Sequence, residues 1–171
     1  MASHQGLMDY GLPTKVIGCK QPGIQYTERT AVRVVVKSPN NHVIVIKVNK
    51  GNYYKLPGGG VEAGEDHQQS AEREVTEETG CSVSVQGAPV ATTEEYRNDL
   101  HQFSYCYIAH LLNEAGAPAL TEDELADGLV HEWIHIDKAL ELMSQAEPTS
   151  ELGRFIKERD IFLLREALKA A

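Results

Sequence analysis

Hydrophobic and polar residues alternate along two short segments near the start of the chain and predict a β-hairpin. Residues 31–37 read AVRVVVK and residues 43–48 read VIVIKV, and both segments are rich in β-branched side chains. Between them stand Ser38-Pro-Asn-Asn, residue types that favour a tight turn. The first thirty residues contain prolines and glycines but no comparable pattern, so we expect a loosely structured lead-in there.

The hydrophobic period becomes helical between residues 66 and 79. Ala71, Val75 and Thr79 are spaced by four and would form one packing seam, and Gly80 is a typical helix stop. Three consecutive glycines at 58–60 precede this segment, and glycine permits backbone angles and close approaches that other residues resist. The pattern predicts a tight functional loop that leads into a helix.

Further strands and helices are predicted beyond Gly80. Strand patterns occupy residues 82–85, 90–96, 103–112 and 130–136. Asp137 is a candidate cap for a helix that extends to Gln145, and apolar positions from Leu152 to Leu164 predict a closing amphipathic helix. Strands in the middle with helices beside them indicate an α+β fold, a mixed sheet covered by helices.

Length and composition indicate an ordinary globular protein. The chain has 171 residues, of which 42% are hydrophobic and 24% charged, as expected for one domain. No apolar run is long enough to span a membrane, and the opening residues lack the pattern of a secretory signal, so we expect a cytoplasmic protein with no membrane partner. Cys19, Cys81 and Cys106 are widely spaced, and we expect reduced core thiols.

The charges are distributed unevenly along the chain. Its formal net charge of −9 disfavours binding to a long nucleic acid. Residues 1–57 carry eight Lys or Arg and two acidic residues, whereas the remainder carries eight basic and twenty-three acidic residues. A basic part facing an acidic part would suit a small polyanion held beside metal cations, although a solvated surface of uneven charge has the same composition.

Three glutamates of the predicted helix share one face. At 100° per residue, Glu74, Glu77 and Glu78 lie within about 100° of the helix circumference. A solvated acidic face in which Arg73 pairs with Glu77 is one interpretation. Clustered carboxylates on a rigid helix also provide the oxygen ligands that Mg²⁺ requires, and the glycine loop could add a backbone carbonyl.

The spacing of these residues resembles the signature of the Nudix hydrolases. Gly59 is followed after five residues by Glu65, and after seven more by Arg73-Glu-Val-Thr-Glu-Glu-Thr-Gly80-Cys81. Every fixed position of the signature matches, and the only departure is Cys81 at a final position that is usually aliphatic. The resemblance implies the family's α/β/α sandwich with a mixed sheet and a catalytic loop-helix-loop. We divide the chain into a lead-in over residues 1–28, part of the same unit, and a single Nudix domain over 29–171.

The resemblance also implies a role for each signature residue. Glu74 and Glu78 would bind the divalent ions, and Glu77 would act as a further ligand or accept the proton of the attacking water. Glu65 and Arg73 match the ion pair that orients this face in the family. The carbonyl of Gly58 is a further candidate ligand. We expect Mg²⁺ as the cofactor, with Mn²⁺ as a possible substitute.

Other candidate residues lie outside the signature. Many family members use an acidic residue from a later loop, and here the segment 121–128 offers Glu122, Asp123, Glu124 and Asp127, of which we favour Glu124. Solvated surface charges would give the same pattern. Candidates for substrate binding are three basic side chains and one aromatic side chain: Arg29, Arg33, Lys55 and Tyr54.

The implied activity is hydrolysis of a phosphoanhydride bond by a metal-activated water, in a nucleoside diphosphate linked to another group. A compact domain of this kind best resembles members that act on intact or oxidised nucleoside triphosphates and release a monophosphate and pyrophosphate. Dinucleoside polyphosphates, for which Tyr96 is a cue, ADP-ribose and other organic diphosphates are alternative substrates. A Nudix-fold sensor that binds a nucleotide without hydrolysing it is the alternative from another class. We expect a monomer or a homodimer.

Overall fold

The computed structural model describes residues 11–170, which form eight strands and four helices. The strands, in chain order, are β1 (Thr14–Ile17), β2 (Thr27–Lys37), β3 (His42–Val48), β4 (Tyr53–Lys55), β5 (Gly58–Gly60), β6 (Ser82–Arg97), β7 (Leu100–Asn113) and β8 (Leu129–His135). The helices are α1 (His67–Thr79), α2 (Glu122–Asp127), α3 (Ile136–Gln145) and α4 (Glu151–Ala170).

The strands form one mixed sheet. Its order is β1-β6-β7-β2-β3-β4, while β5 pairs with β2 and β8 pairs with β3. The β2–β7 and β1–β6 pairs are parallel, and the remaining pairs are antiparallel. Strand β2 pairs with β7 along its whole length, which places the basic positions of β2 in the middle of the molecule.

Helices cover both faces of the sheet, so the predicted α/β/α sandwich is confirmed. On one face Ala71 and Val75 of α1 pack against β2 and β7, and the predicted seam of Ala71, Val75 and Thr79 is buried. On the other face α3 and α4 pack on the sheet, with Leu163 and Leu164 fully buried. The alternation of side chains along each strand supplies one apolar set to each core.

The hairpin prediction is confirmed only at its turn. The N–H of Ser38 donates to the carbonyl of His42 at 2.9 Å, but β2 and β3 pair only at Lys37 and Val43. The two strands diverge because β5 pairs with residues 31–33 of β2, while β8 pairs with all of β3. This divergence opens one end of the sheet, where the candidate site lies.

Four further segments differ from their predictions. Residues 14–17, expected to be part of a loose lead-in, form β1 and pair with β6. Residues 53–55, which lie outside the predicted strands, and residues 58–60, expected to be loop, form short strands that pair with β3 and β2, respectively. The acidic segment 122–127 forms α2. Cys81 and Cys106 are buried as predicted, whereas Cys19 is exposed because it follows an edge strand.

The helix α1 begins and ends at the predicted residues. Asp66 is the N-cap, and its side chain and that of Gln69 form a reciprocal capping box. Gly80 is the C-cap, with a left-handed φ of 76°. Across residues 11–170, none of the helices combines the length and the apolar character that a membrane crossing requires.

Candidate functional site

The glycines of β5 allow close packing between β2 and α1. A Cβ atom on Gly58 would collide with the carbonyl oxygen of Val32, and one on Gly59 would collide with the carboxylate of Glu74. Gly58 also has a φ of 151°, a backbone angle that residues other than glycine rarely adopt. The glycine loop therefore lets the backbone lie directly against a carboxylate of α1.

Three glutamates of α1 face this loop with different degrees of burial. The side chain of Glu78 is 2% exposed and that of Glu74 is 14% exposed, whereas that of Glu77 is 45% exposed. The backbone N–H of Gly58 donates to Oε1 of Glu78 at 3.1 Å. The structure thus brings together the predicted residues Gly58, Glu74, Glu77 and Glu78.

Arg73 joins the loop to the helix. Its Nε and Nη2 donate to the two carboxylate oxygens of Glu65 at 3.0 and 2.7 Å, which is the ion pair that the resemblance implied. Its Nη1 donates to Glu74 at 3.1 Å and to Glu77 at 3.2 Å. The hydrogen bonds that Arg73 donates to Glu65 lower the pKa of Glu65 to about 2, and the same bonds raise the pKa of Arg73. The guanidinium therefore holds three carboxylates in place.

The buried pair Glu74 and Glu78 carries an electrostatic cost. Burial raises the pKa of Glu74, and repulsion from Glu78 raises it further. Oε2 of Glu78 is buried without a hydrogen-bond donor, although the ammonium of Lys55 lies 3.1 Å away as an ion-pair partner. A further cation at these oxygens would reduce the repulsion between Glu74 and Glu78 and would give Oε2 of Glu78 a second partner.

A cavity adjoins Glu78 at the open end of the sheet. Its volume is about 180 Å³, and it contains three of the predicted substrate-binding residues, Arg29, Arg33 and Lys55. Arg97 and Arg159 also line it, together with the acidic side chains of Glu95, Glu124 and Asp127. Since Lys55 lines the cavity and also contacts Glu78, the basic cavity and the acidic helix face are continuous.

Arg33 and Arg97 are the two cavity arginines whose Nε lacks a hydrogen-bond partner among the described residues, and Arg33 is the more buried of the two. It is 5% exposed, and its Nε has no hydrogen-bond partner. Burial and the neighbouring charge of Arg159 lower the pKa of Arg33 to about 10. A buried guanidinium normally has an anionic partner, so this position favours an anion in the cavity.

The other cavity arginines belong to a buried polar network that the sequence did not reveal. Arg29 donates to Gln102 at 2.5 Å, and Gln102 donates to Glu95 at 3.1 Å. Arg159 lies 3.4 Å from Glu95 and 2.6 Å from Asp160. Burial would lower the pKa of Arg159, but Asp160 and Glu95 raise it. One signal was available, because residues 159 and 160 interrupt the apolar stripe of α4 with adjacent charges.

Asp160 attaches α4 to the strand that carries Lys55. Its Oδ2 accepts a hydrogen bond of 2.8 Å from the backbone N–H of Leu56. Both residues are fully buried. This contact holds the backbone beside Lys55 against the closing helix.

Glu124 lies on the cavity wall rather than on the glutamate face of α1. It is the third residue of α2, where its carboxylate accepts the N–H of Thr121 at 2.9 Å and completes a capping box. Asp127 lines the same cavity and forms an exposed ion pair with Lys50. Glu124 is therefore near the site, but its carboxylate is engaged in capping a helix.

Two tyrosines singled out in the sequence lie outside the cavity. Tyr54 packs against the core beneath α3 and α4, because successive strand residues point to opposite faces, and its neighbour Tyr53 lines the cavity instead. Tyr96 stacks on His101 with ring centroids 4.5 Å apart. The structure does not bring Tyr54 together with Arg29, Arg33 and Lys55.

The donor set of α1 fits a divalent cation. Mg²⁺ and Mn²⁺ prefer carboxylate oxygens, and Glu74 and Glu78 supply neighbouring carboxylates whose mutual repulsion raises the pKa of Glu74. In the part of the chain that the structure describes, no three His, Cys, Asp or Glu side chains converge as a preformed metal cluster. The glutamates instead contact Arg73 and Lys55. Metal binding would require these side chains to adjust.

Comparisons with known proteins agree with the fold and the signature. The model of the NUDIX domain matches residues 27–153. A curated relative, the RNA pyrophosphohydrolase of Pelagibacter ubique (strain HTCC1062), is 43% identical over 53 residues. That match covers 30% of this chain and 34% of the relative, so the chain matches about a third of the relative's length.

Solved structures show the same fold at low sequence identity. The MUTT protein from Methanosarcina mazei Go1 superposes with a TM-score of 0.59 at 14% identity, over 86% of this chain and 98% of that chain. A NUDIX hydrolase from Nitrosomonas europaea superposes with a TM-score of 0.59 at 18% identity, over 82% of this chain and 91% of that chain. These likenesses establish the shared fold.

Proposed function

This chain belongs to the NUDIX family, and from that membership we propose that it is a pyrophosphohydrolase that uses Mg²⁺ or Mn²⁺ to cleave a phosphoanhydride bond. The observation that carries the proposal is the continuity of an acidic helix face with a basic cavity. Lys55 contacts Glu78 and lines the cavity with Arg29 and Arg33. Carboxylates for a cation and cations for a polyphosphate are thus adjacent.

Glu74 and Glu78 would hold the metal, with Glu77 and the carbonyl of Gly58 as further ligands. When bound, the metal supplies a water of lowered pKa and neutralises charge on the phosphate oxygens. Glu77 is the most exposed of the three glutamates, which supports a role as the acceptor of the proton of the attacking water. Glu65 acts through Arg73, which positions the carboxylates of Glu74 and Glu77. Glu124 at the cavity wall is a further candidate ligand once its capping contact opens.

Arg29, Arg33 and Lys55 would bind the phosphate oxygens. Arg33 has the strongest electrostatic reason to do so, since it is buried without a hydrogen-bond partner at Nε. The cavity volume of about 180 Å³ lies below the range of about 300–1,000 Å³ for whole-ligand sites, so we place only the phosphates inside it. The group attached to them would extend outside.

The substrate that we propose is a nucleoside triphosphate, intact or oxidised, which would yield a monophosphate and pyrophosphate. The curated relative named RNA pyrophosphohydrolase favours a second candidate, a triphosphate at the end of an RNA. The two candidates share the phosphates that the cavity would bind. They differ in the size of the attached group and in total charge, and the net charge of −9 favours the smaller one.

The proposal is tested with Glu78→Gln and a matched control on the same helix. We expect Glu78→Gln to abolish Mg²⁺-dependent release of phosphate or pyrophosphate while the melting temperature stays within a few degrees of wild type. Glu72→Gln is the control, because Glu72 points toward β6 and accepts from Val85 and Gln68 instead of facing the loop. The control should retain activity.

The assay uses a panel of nucleoside triphosphates, dinucleoside polyphosphates, ADP-ribose and a triphosphorylated RNA, with products identified by mass. Full activity in Glu78→Gln would contradict the metal assignment. Tight nucleotide binding by the wild-type protein with no product from any compound would instead favour a sensor. The masses also identify which phosphorus is attacked.

A further inference from the structure

Lys55 is placed between the glutamates of α1 and the basic cavity. Its ammonium lies 3.1 Å from Oε2 of Glu78, and the side chains of Lys55 and Glu78 are 14% and 2% exposed. Over residues 11–170 this is the one ion pair that Lys55 forms. The carboxylate of Glu78 is nearly inaccessible to solvent, so Lys55 is the group that neutralises its charge.

We propose that Lys55 is an internal counter-ion that competes with the divalent cation for Glu78 and thereby couples metal binding to substrate binding. The inference rests on the proposed function, since it takes Glu78 to be a metal ligand. It adds a role for Lys55 as a positioning residue that responds to both ligands.

The competition follows from the contacts of Glu78. Oε1 is held by the N–H of Gly58 at 3.1 Å, so the carboxylate cannot follow Lys55 away from the helix without losing that bond. A divalent cation at Oε2 would therefore approach the ammonium to within a few ångströms. Repulsion between like charges at such distances is strong in a partly buried site, and Lys55 must move when the metal binds.

Arg73 is the second cationic side chain at the glutamates, and it cannot move away from them as Lys55 can. Arg73 also contacts Glu74 and Glu77, but two hydrogen bonds to Glu65 and one to the carbonyl of Gly60 hold its guanidinium. Lys55 lacks comparable anchors and has a flexible stem. Of the two cations at the glutamates, Lys55 is the one that can leave.

The basic cavity is a destination for the displaced ammonium. Lys55 lines the cavity that contains Arg29 and Arg33, and phosphate oxygens bound there would replace the partner that it loses at Glu78. Metal binding releases Lys55 toward the phosphates, and phosphate binding draws Lys55 off the metal ligand. The two ligands should therefore bind with positive, reciprocal coupling.

The experiment measures Mn²⁺ affinity of the full chain by calorimetry without any turnover. Lys55→Met keeps the aliphatic stem and removes the charge, and we expect it to bind Mn²⁺ at least about tenfold more tightly than wild type. Lys55→Arg keeps a charge and should stay close to wild type. Lys138→Met is the matched control for net charge, since Lys138 pairs with the exposed Glu141 on α3.

Coupling is measured by repeating the titrations with methylenebisphosphonate as a non-hydrolysable diphosphate, after subtracting the Mn²⁺ that it chelates without protein. We expect the diphosphate to tighten Mn²⁺ binding at least about fivefold in wild type and less than about twofold in Lys55→Met. Lys55→Gln replaces Lys55→Met if circular dichroism shows that the methionine variant is unfolded.

Equal Mn²⁺ affinity in wild type and Lys55→Met, or an equal increase in Lys138→Met, would overturn the inference and leave the proposed function standing. Undiminished coupling in Lys55→Met would also overturn it. Failure of the wild-type protein to bind Mn²⁺ at all, or full binding by Glu78→Gln, would overturn the proposed function as well. The two failures are therefore distinguishable.

Discussion

Two arginines of the same cavity differ in how their charge is compensated. Arg33 on β2 and Arg159 on α4 are 5% and 3% exposed. Arg159 contacts both Glu95 and Asp160, whereas Nε of Arg33 has no hydrogen-bond partner. An unpaired buried charge costs stability, while removal of one member of a buried pair leaves the other uncompensated. The same type of residue should thus serve binding in one position and stability in the other.

We expect Arg33→Met and Arg159→Met to have opposite consequences. Arg33→Met should leave the melting temperature unchanged or raise it, and should lower kcat/KM by about 100-fold, because it removes a charged phosphate contact. Arg159→Met should destabilise the protein by about 3 kcal/mol, since Glu95 and Asp160 lose their partner. Thermal unfolding and steady-state kinetics of both variants provide the check. Destabilisation by Arg33→Met comparable to that by Arg159→Met would show that Arg33 is structural.

Among the elements, α1 depends on a loop distant in sequence as well as on its own caps. The carbonyl of Glu77 accepts the N–H of Ala119 at 2.7 Å, and Gly80 lies against the backbone of residues 116–117. The loop after β7 therefore satisfies a carbonyl at the end of the helix that would otherwise lack a partner. This contact fixes the last turn of α1, which carries Glu77 and Glu78.

We expect Gly80→Ala to destabilise the protein more than the same substitution at another glycine with a left-handed φ. A Cβ at Gly80 would collide with the carbonyl of Gly116, so the cost is left-handed strain of about 1 kcal/mol plus about 1–3 kcal/mol of overpacking. Gly87→Ala is the control, because Gly87 has a φ of 67° but no atom within 4 Å of the added Cβ. Denaturant unfolding should show the larger loss for Gly80→Ala. Equal losses of unfolding free energy in the two variants would mean that the loop at residues 116–117 moves to accommodate the added Cβ.

The whole molecule separates an apolar interior from a polar site at the open end of the sheet. The two cores on either face of the sheet contain Cys81 and Cys106, and burial raises the pKa of Cys106. The polar network of Arg29, Glu95, Gln102, Arg159 and Asp160 lies where β2 and β3 diverge and α4 covers the gap. Access of reagents to the thiols therefore reports on the integrity of the cores.

We expect one thiol per chain to react with a disulfide reagent in the folded protein and three in denaturant. Cys19 is exposed, while Cys81 and Cys106 are 1% and 0% exposed. The absorbance of the released thiolate gives the count, and Cys19→Ser should remove the reaction of the folded protein. Rapid reaction of all three thiols would indicate that the cores open easily.

The sequence by itself determined what depends on neighbours along the chain. The period of apolar residues located α1, α4 and the long strands, and Asp66 and Gly80 predicted the ends of α1 correctly. Asp137 predicted the presence of α3, but its role as the cap was wrong, because the N-cap is His135 and Asp137 lies in the first turn. The spacing from Gly59 to Cys81 predicted the family that the domain match established. Such features are readable because helical and strand periods, caps and signature spacing act over a few covalently connected residues. The domain boundaries at 1–28 and 29–171 and the roles of the signature residues stay predictions.

Only the tertiary structure decided which side chains meet. The sequence suggested Arg29, Arg33, Lys55 and Tyr54 equally, but strand alternation turned Tyr54 to the opposite core and left the other three in one cavity. Lys55 meets Glu78, and Arg159 meets Glu95, across separations that no local pattern encodes. Partner choice depends on the register between distant strands and on where α4 packs. That is why Arg33 lacks a hydrogen bond at Nε and Arg159 has two carboxylate partners.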